Sequence, residues 1–468
     1  MAIKSKLILP ILTALIVSCA QGPQNSVTIT GKVANLADTT FFLLSHPGVG
    51  TDTIKPDAKG SFSIHLDSVT EPATLYFGTP GDRMATIHVV PGMRIELAFD
   101  LADLINSFKF SGKGSDINNY LFEKSKLSLK DPYAWFKLDA PDFRVKQDSM
   151  LAVYQGLLNE AKKDDPADPF WATEEGEVLF TWANNLERFQ PYHSYFSGKQ
   201  DYVVPEGFED YRKDLDINNS RYVKSRSFQS YITDLVSSEV SLKVKSIRDM
   251  DSTAEVNQSR LKRETAVELF TSPDVLNVYL LNDVKDAMQW TSLEECQDAI
   301  AFFREKCKDE ALLKVFETEY DGWKKLDKGQ PAPEIIGKNM QGETVKLSDF
   351  RGKYLYLDLW ATWCGPCNYE IPFLDSLETD YHGRNIVFMS YSIDDDHDAW
   401  MKFVPEKQLK GVQIIGDKGW GSQICKDFKI LGVPTFMFFD PEGKIISVKM
   451  TRPSDKQTRE TFNSYPNL

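Results

Sequence analysis

Cys364 and Cys367 enclose a Gly-Pro pair, Cys364-Gly365-Pro366-Cys367. A thiol attacks a disulfide only as the thiolate, and an unperturbed cysteine with a pKa of about 8.5 is mostly protonated at neutral pH. The surrounding sequence supplies a remedy. Tyr354 to Trp360 is a nearly continuous apolar run, as expected of a strand buried on both faces. A helix is predicted to follow, to about Tyr381. Cys364 then stands at a helix N-terminus, where free N–H groups and the dipole stabilise an anion. Pro366 suits the first turn, where its missing N–H has no intrahelical partner. Cys367 lies three residues on, within disulfide reach. The pattern predicts an exposed nucleophile, Cys364, and a resolving thiol, Cys367, that breaks a mixed disulfide. A zinc site would need a second cysteine pair, and the six histidines lack ligand spacing. This chemistry calls for no metal and no cofactor.

Two carboxyl groups flank the pair. Asp358 interrupts the apolar strand six residues before Cys364. An unpaired buried charge is costly, so its pKa should rise. A carboxyl group poised near neutral pH can shuttle the Cys367 proton. The competing reading is a strand-end residue bonded to backbone. Glu370 follows Cys367 by three residues on the helix, where a solvated surface residue is the plain alternative. Trp360 and Trp363 are expected to shield the site.

The run Asp358-Leu359-Trp360-Ala361-Thr362-Trp363-Cys364-Gly365-Pro366-Cys367-Asn368-Tyr369-Glu370-Ile371-Pro372, with Gly432-Val433-Pro434-Thr435 further on, resembles the thioredoxins. It resembles most their membrane-anchored TlpA/ResA-like branch. The resemblance covers roughly residues 330–468. It implies an α/β thioredoxin-like domain and thiol–disulfide exchange. It makes Pro434 a cis-proline facing the dithiol, with Trp363, Val433 and Thr435 against the substrate peptide. It matches Asp358 to a buried acid of thioredoxins and Glu370 to a glutamate with an acid–base role in the branch. Many members of the branch lack the aspartate, so carrying both is a departure. On this reading Asp358 is the main proton shuttle and Glu370 tunes it. The Gly-Pro pair is the one found in reducing thioredoxins. It favours a reductant of protein disulfides that a membrane-linked thiol reductant recharges. A disulfide isomerase, or a binding lipoprotein with an accessory thioredoxin domain, is the alternative. The peroxidase pattern of a threonine ahead of a lone cysteine after proline is absent.

The N-terminus reads as a processing signal. Lys4 and Lys6 precede an apolar run, Leu7 to Val17, too short to span a bilayer, which needs about 20 residues. Ile16-Val17-Ser18-Cys19 resembles the lipobox of bacterial lipoproteins. That implies cleavage after residue 18 and lipid on Cys19, with 19–26 as a tether. The expected location is the cell envelope, on the periplasmic face of the outer membrane. A formal charge of −14, with no basic stripe, argues against nucleic acid as partner.

The 468 residues exceed one core. Residues 27–112 alternate like short strands and predict an all-β sandwich. This segment resembles the small β domain of unknown function found ahead of thioredoxin-like modules in bacterial lipoproteins. Residues 113–327 read as helices, with Phe228, Tyr231, Ile232 and Leu235 at helical spacing. The aromatics between Trp171 and Phe196 fit a core better than a groove. Lys328 to Pro333 reads as a linker, and 328–468 alternates strands with helices. Leu293, Cys296, Ile300, Phe303 and Cys307 share one helix face. That places the two cysteines about 16 Å apart, beyond disulfide reach. Cys425 is expected in a short helix as a buried small residue. The acidic run from Asp394 to Asp398 reads as a helix start.

Overall fold

The computed structural model describes residues 25–37, 40–46, 50–67, 69–79, 82–129, 131–163, 165–465 and 467–468. Cys19, the expected leader 1–18 and most of the tether lie outside them. The described chain falls into two compact units that part between Ser128 and Leu129.

The first unit is built from strands whose apolar residues recur every second position. β1 (Val27–Ala34), β4 (Ser61–Leu66), β7 (Arg94–Asp100) and β8 (Lys109–Gly112) form one sheet in the order β4-β1-β7-β8. β2 (Phe42–His46), β3 (Gly50–Ile54), β5 (Ala73–Thr79) and β6 (Asp82–Val89) form the other, ordered β3-β2-β5-β6. One core lies between them, with Phe42, Phe77 and Phe99 in mutual ring contact. The unit runs past residue 112. Helix Ser115–Lys126 stays with it because two adjacent asparagines bind strand backbone. Asn118 accepts from the His88 N–H at 2.8 Å and donates to the His88 carbonyl at 3.0 Å. Asn119 does the same to Phe110.

The second unit begins with helices, the longest being Arg226–Met250. Phe228, Tyr231, Ile232 and Leu235 are buried on its inner face. Trp171, Phe180 and Phe189 are buried too, whereas Tyr195 is exposed. Cys296 and Cys307 sit at opposite ends of helix Gln297–Lys306, both buried and both free.

The rest of this unit is a seven-stranded sheet. Its strands are β9 (Ile336–Lys338), β10 (Thr344–Lys346), β11 (Tyr354–Trp360), β12 (Ile386–Ser392), β13 (Val412–Ile415), β14 (Thr435–Phe439) and β15 (Ile445–Met450). The order is β10-β9-β13-β12-β11-β14-β15. Every residue of β11 is buried, as its apolar run predicts. β11 runs parallel to β12 and antiparallel to β14. Helix Gly365–Asp380 follows β11 directly.

Three features were not expected from sequence. The β9–β10 pair is one. Helix Lys456–Asn463 is another; it lays the buried Phe462 on Tyr356, Phe388 and Phe438. The third is the stretch read as a linker, which instead extends the sheet. The Gly329 N–H donates to the Ile445 carbonyl at 2.7 Å, and the Ile445 N–H donates to the Gln330 carbonyl at 2.8 Å.

Helices and sheet share one continuous core, in which Phe316, Trp323 and Leu326 meet Phe428 and Ile445. Polar contacts reinforce it. Lys449 lies 4.0 Å from the Trp323 ring centroid and donates to the carbonyls of Met288 and Thr291. Lys429 pairs with Glu319 at 2.9 Å, and its carbonyl accepts from Gln289 at 3.2 Å.

Candidate active site

The site is built where β11 ends and its helix begins. Side chains alternate along a strand, so Tyr356, Asp358 and Trp360 share one face. Leu374 and Leu377 of the helix pack on that face against Tyr356. Cys364 is the helix N-cap, and its sulfur accepts from the Cys367 N–H at 3.1 Å. The two cysteines are joined as a disulfide, with Cα atoms 5.2 Å apart. In this oxidised state Cys364 is only 4% exposed. The expected exposed nucleophile is therefore nearly covered, since its sulfur is turned to its partner rather than free.

The Val433–Pro434 peptide bond is cis. The Thr435 hydroxyl donates to the Gly432 carbonyl at 2.7 Å and closes that turn. Gly432, Val433, Pro434 and Thr435 are all half-buried. Around the site stand exposed apolar side chains. Trp363 is exposed, and its ring lies 6.2 Å from that of Trp420, also exposed. Trp360 is instead buried against Phe403. Of the two tryptophans expected to shield the dithiol, only Trp363 presents itself at the surface.

Asp358 is buried opposite Ser390 of β12, and its Oδ1 has no hydrogen-bond partner among the described residues. Burial, then the negative charges of Glu370 and Glu378, push its pKa up to about 8. A buried carboxyl with that affinity holds its proton at neutral pH and can exchange it with a neighbouring thiol. The backbone-bonded alternative for Asp358 finds no such bond.

Glu370 is not a solvated helix residue. It is 2% exposed and accepts from the Ser454 N–H at 3.0 Å and the Ser454 hydroxyl at 2.9 Å. The Arg452 guanidinium lies 3.8 Å away. The carboxylate thus ties the dithiol helix to the segment between β15 and the last helix.

Asp394 is a residue that sequence reasoning passed over. Within the acidic run only Asp396 caps the following helix. Asp394 is 1% exposed and accepts from the Thr362 N–H at 2.9 Å, the Thr362 hydroxyl at 2.7 Å and the Ser392 hydroxyl at 2.6 Å. It holds the turn that leads into Cys364. Its signal was present but ambiguous: an acid directly after a buried strand, within a run of acids. Cys425 is buried, and burial pushes its thiol pKa up, so it rests protonated.

Comparison with known proteins agrees with this geometry. The model of the AhpC/TSA family matches residues 328–448. Over 152 residues the chain is 30% identical to the thiol-disulfide oxidoreductase ResA of Bacillus thuringiensis subsp. konkukian, and to that of Bacillus cereus. Each alignment covers 32% of this chain and 84% of the relative. The chain belongs to the ResA-like thiol-disulfide oxidoreductases. Among solved structures, the thioredoxin domain of a thiol-disulfide oxidoreductase from Bacteroides vulgatus is 29% identical, covering 30% of this chain and 97% of that one, with a TM-score of 0.28. The ResA-like likeness lies in the C-terminal third, where the dithiol, the cis-proline and both carboxyl groups are found.

Proposed function

We propose that this chain is a lipid-anchored reductant of protein disulfides in the periplasm. The reading rests on one observation above all: a Cys-Gly-Pro-Cys dithiol at a helix start, with an unpartnered buried acid on the preceding strand. In the reduced protein, the Cys364 thiolate attacks one sulfur of a substrate disulfide and expels the other as thiolate. Asp358, once it has released its own proton to water, takes the proton of Cys367. The resulting Cys367 thiolate attacks the Cys364 sulfur, forms the internal disulfide and expels the second substrate thiolate. Both expelled thiolates take protons from water. The substrate gains two electrons, and the dithiol loses two. A membrane-linked thiol reductant then restores the pair. Trp363, Val433 and Thr435 bind the substrate segment, and Glu370 tunes the acid beneath it.

Insulin reduction by the full chain tests the activity. Wild type turns over with dithiothreitol as reductant, and Cys364→Ser loses all turnover. Equal, negligible activity in both would favour a binding lipoprotein with an accessory thioredoxin domain. Cys367→Ser, expressed in the source cell, should retain its substrate as a mixed disulfide. Anchoring has a separate readout: Cys19→Ser should move the protein from the membrane to the soluble fraction.

A further inference from the structure

A buried acid that takes a proton from Cys367 must pass it on before the next turnover. Asp358 is buried on its strand, but it lines a cavity of about 340 Å³. That volume holds several waters. Three residues of its wall, Asp358, Trp360 and Gln413, carry a buried polar atom with no partner among the described residues. A wall of this kind is polar enough to keep water ordered. Glu378, Asp375 and Lys410 also line it, and of these Asp375 and Lys410 are exposed to solvent.

Ile371, Leu374, Asp375 and Glu378 follow helical spacing and place one helix face along the cavity. Glu378 is half-buried there and lines a second cavity as well, of about 500 Å³, on the side of Gly411 and His382. It therefore borders both the space beside Asp358 and a second opening at the surface. We propose that Glu378 relays the Cys367 proton between Asp358 and bulk water through the cavity that the two carboxyl groups share. It acts through Asp358 and touches neither sulfur nor substrate.

The surroundings of Glu378 suit that task. Burial and the negative Asp375 raise its pKa to about 7, against the pull of Lys410. Lys410 is engaged elsewhere, with Asp375 at 2.5 Å. Lys407 faces the first cavity, and Tyr381 and His382 the second. A carboxyl near 7 beside one near 8 passes a proton in either direction with little loss of driving force.

The inference rests on Asp358 holding the Cys367 proton, and the experiment separates the two. Reduced full-length protein is mixed with excess insulin across about pH 5.5–9.5, and formation of the Cys364–Cys367 disulfide is followed after acid quench. Glu378→Gln keeps the shape of the cavity wall. It should lower the plateau rate about tenfold, within the range of a lost proton-transfer group. It should also move the inflection of Asp358 to lower pH, because a neighbouring negative charge is gone. Glu378→Asp should recover most of the rate, and added formate or imidazole should rescue Glu378→Gln in a concentration-dependent way. A wild-type plateau in Glu378→Gln overturns the relay. So does a slow Glu378→Gln that neither the aspartate nor the buffers restore, since that marks a structural role. An unchanged Asp358→Asn profile would instead remove Asp358 as the shuttle. A slow Asp358→Asn beside a normal Glu378→Gln would leave Asp358 in place and discard the relay alone.

Discussion

At the residue scale, the site rests on a carboxyl group that folding keeps protonated. Asp358 has a folded pKa of about 8 against an ordinary 3.8. Between those values the unfolded chain has released this proton and the folded chain has not. Stability from this group is therefore full below about pH 4 and is lost as pH rises toward 8. Asp358→Asn removes that slope. Urea denaturation of the oxidised protein should find the variant more stable at pH 8, by about 2–5 kcal/mol, and close to wild type at pH 4. A variant that is slower in turnover yet more stable marks a group kept for chemistry. Much of this was legible in sequence, because an aspartate within Tyr354–Trp360 is conspicuous. Of the neighbours that shift it, Glu370 came only through the family resemblance, and Glu378 was not singled out. Glu370 and Glu378 lie on a helix whose facing side is set by packing. The burial of Glu370 depends on Ser454, 84 positions away.

At the element scale, the dithiol depends on how a strand end and a helix start are joined. Asp394, after β12, holds Thr362 in the turn after β11, so two parallel neighbours fix one loop. Asp394→Ala leaves the Thr362 N–H without its charged acceptor. That should cost about 2–3 kcal/mol. Amide exchange at residues 361–363 should rise, and insulin turnover should fall; Asp394→Asn should recover part of both. β11, β12, β14 and the dithiol helix were readable from local pattern, since each has an apolar run or helical period of its own. The β9–β10 pair and helix Lys456–Asn463 were not. The strands are three residues each, and the helix keeps few apolar positions, so only their tertiary partners define them.

At the scale of the whole second unit, the sequence suggested two domains and a linker, whereas the structure has one core. A composition change at Lys328 marks a change of secondary structure. It does not reveal that Trp323 and Leu326 face Ile445. Trp323 is 4% exposed at that junction. Trp323→Ala should cost about 3–5 kcal/mol, as for a large buried aromatic. Its effect should reach both sides at once. Hydrogen exchange should weaken in protection along Glu310–Lys324 and along β11 to the same extent. Protection lost only in the helix would show that the two parts unfold independently.

The anchoring of Lys429 has a consequence for recognition. This residue lies five positions before the cis-proline, and both its ammonium and its carbonyl are held by the helical part. The edge proposed to receive a client peptide is therefore pre-ordered by helices that carry none of the proposed catalytic groups. A flexible loop would lose conformational entropy each time a client docked, and affinity would fall accordingly. Here that entropy is already surrendered on folding. On the proposed reading, weak main-chain pairing at Val433 then suffices for a brief encounter, and clients leave as soon as their disulfide is exchanged.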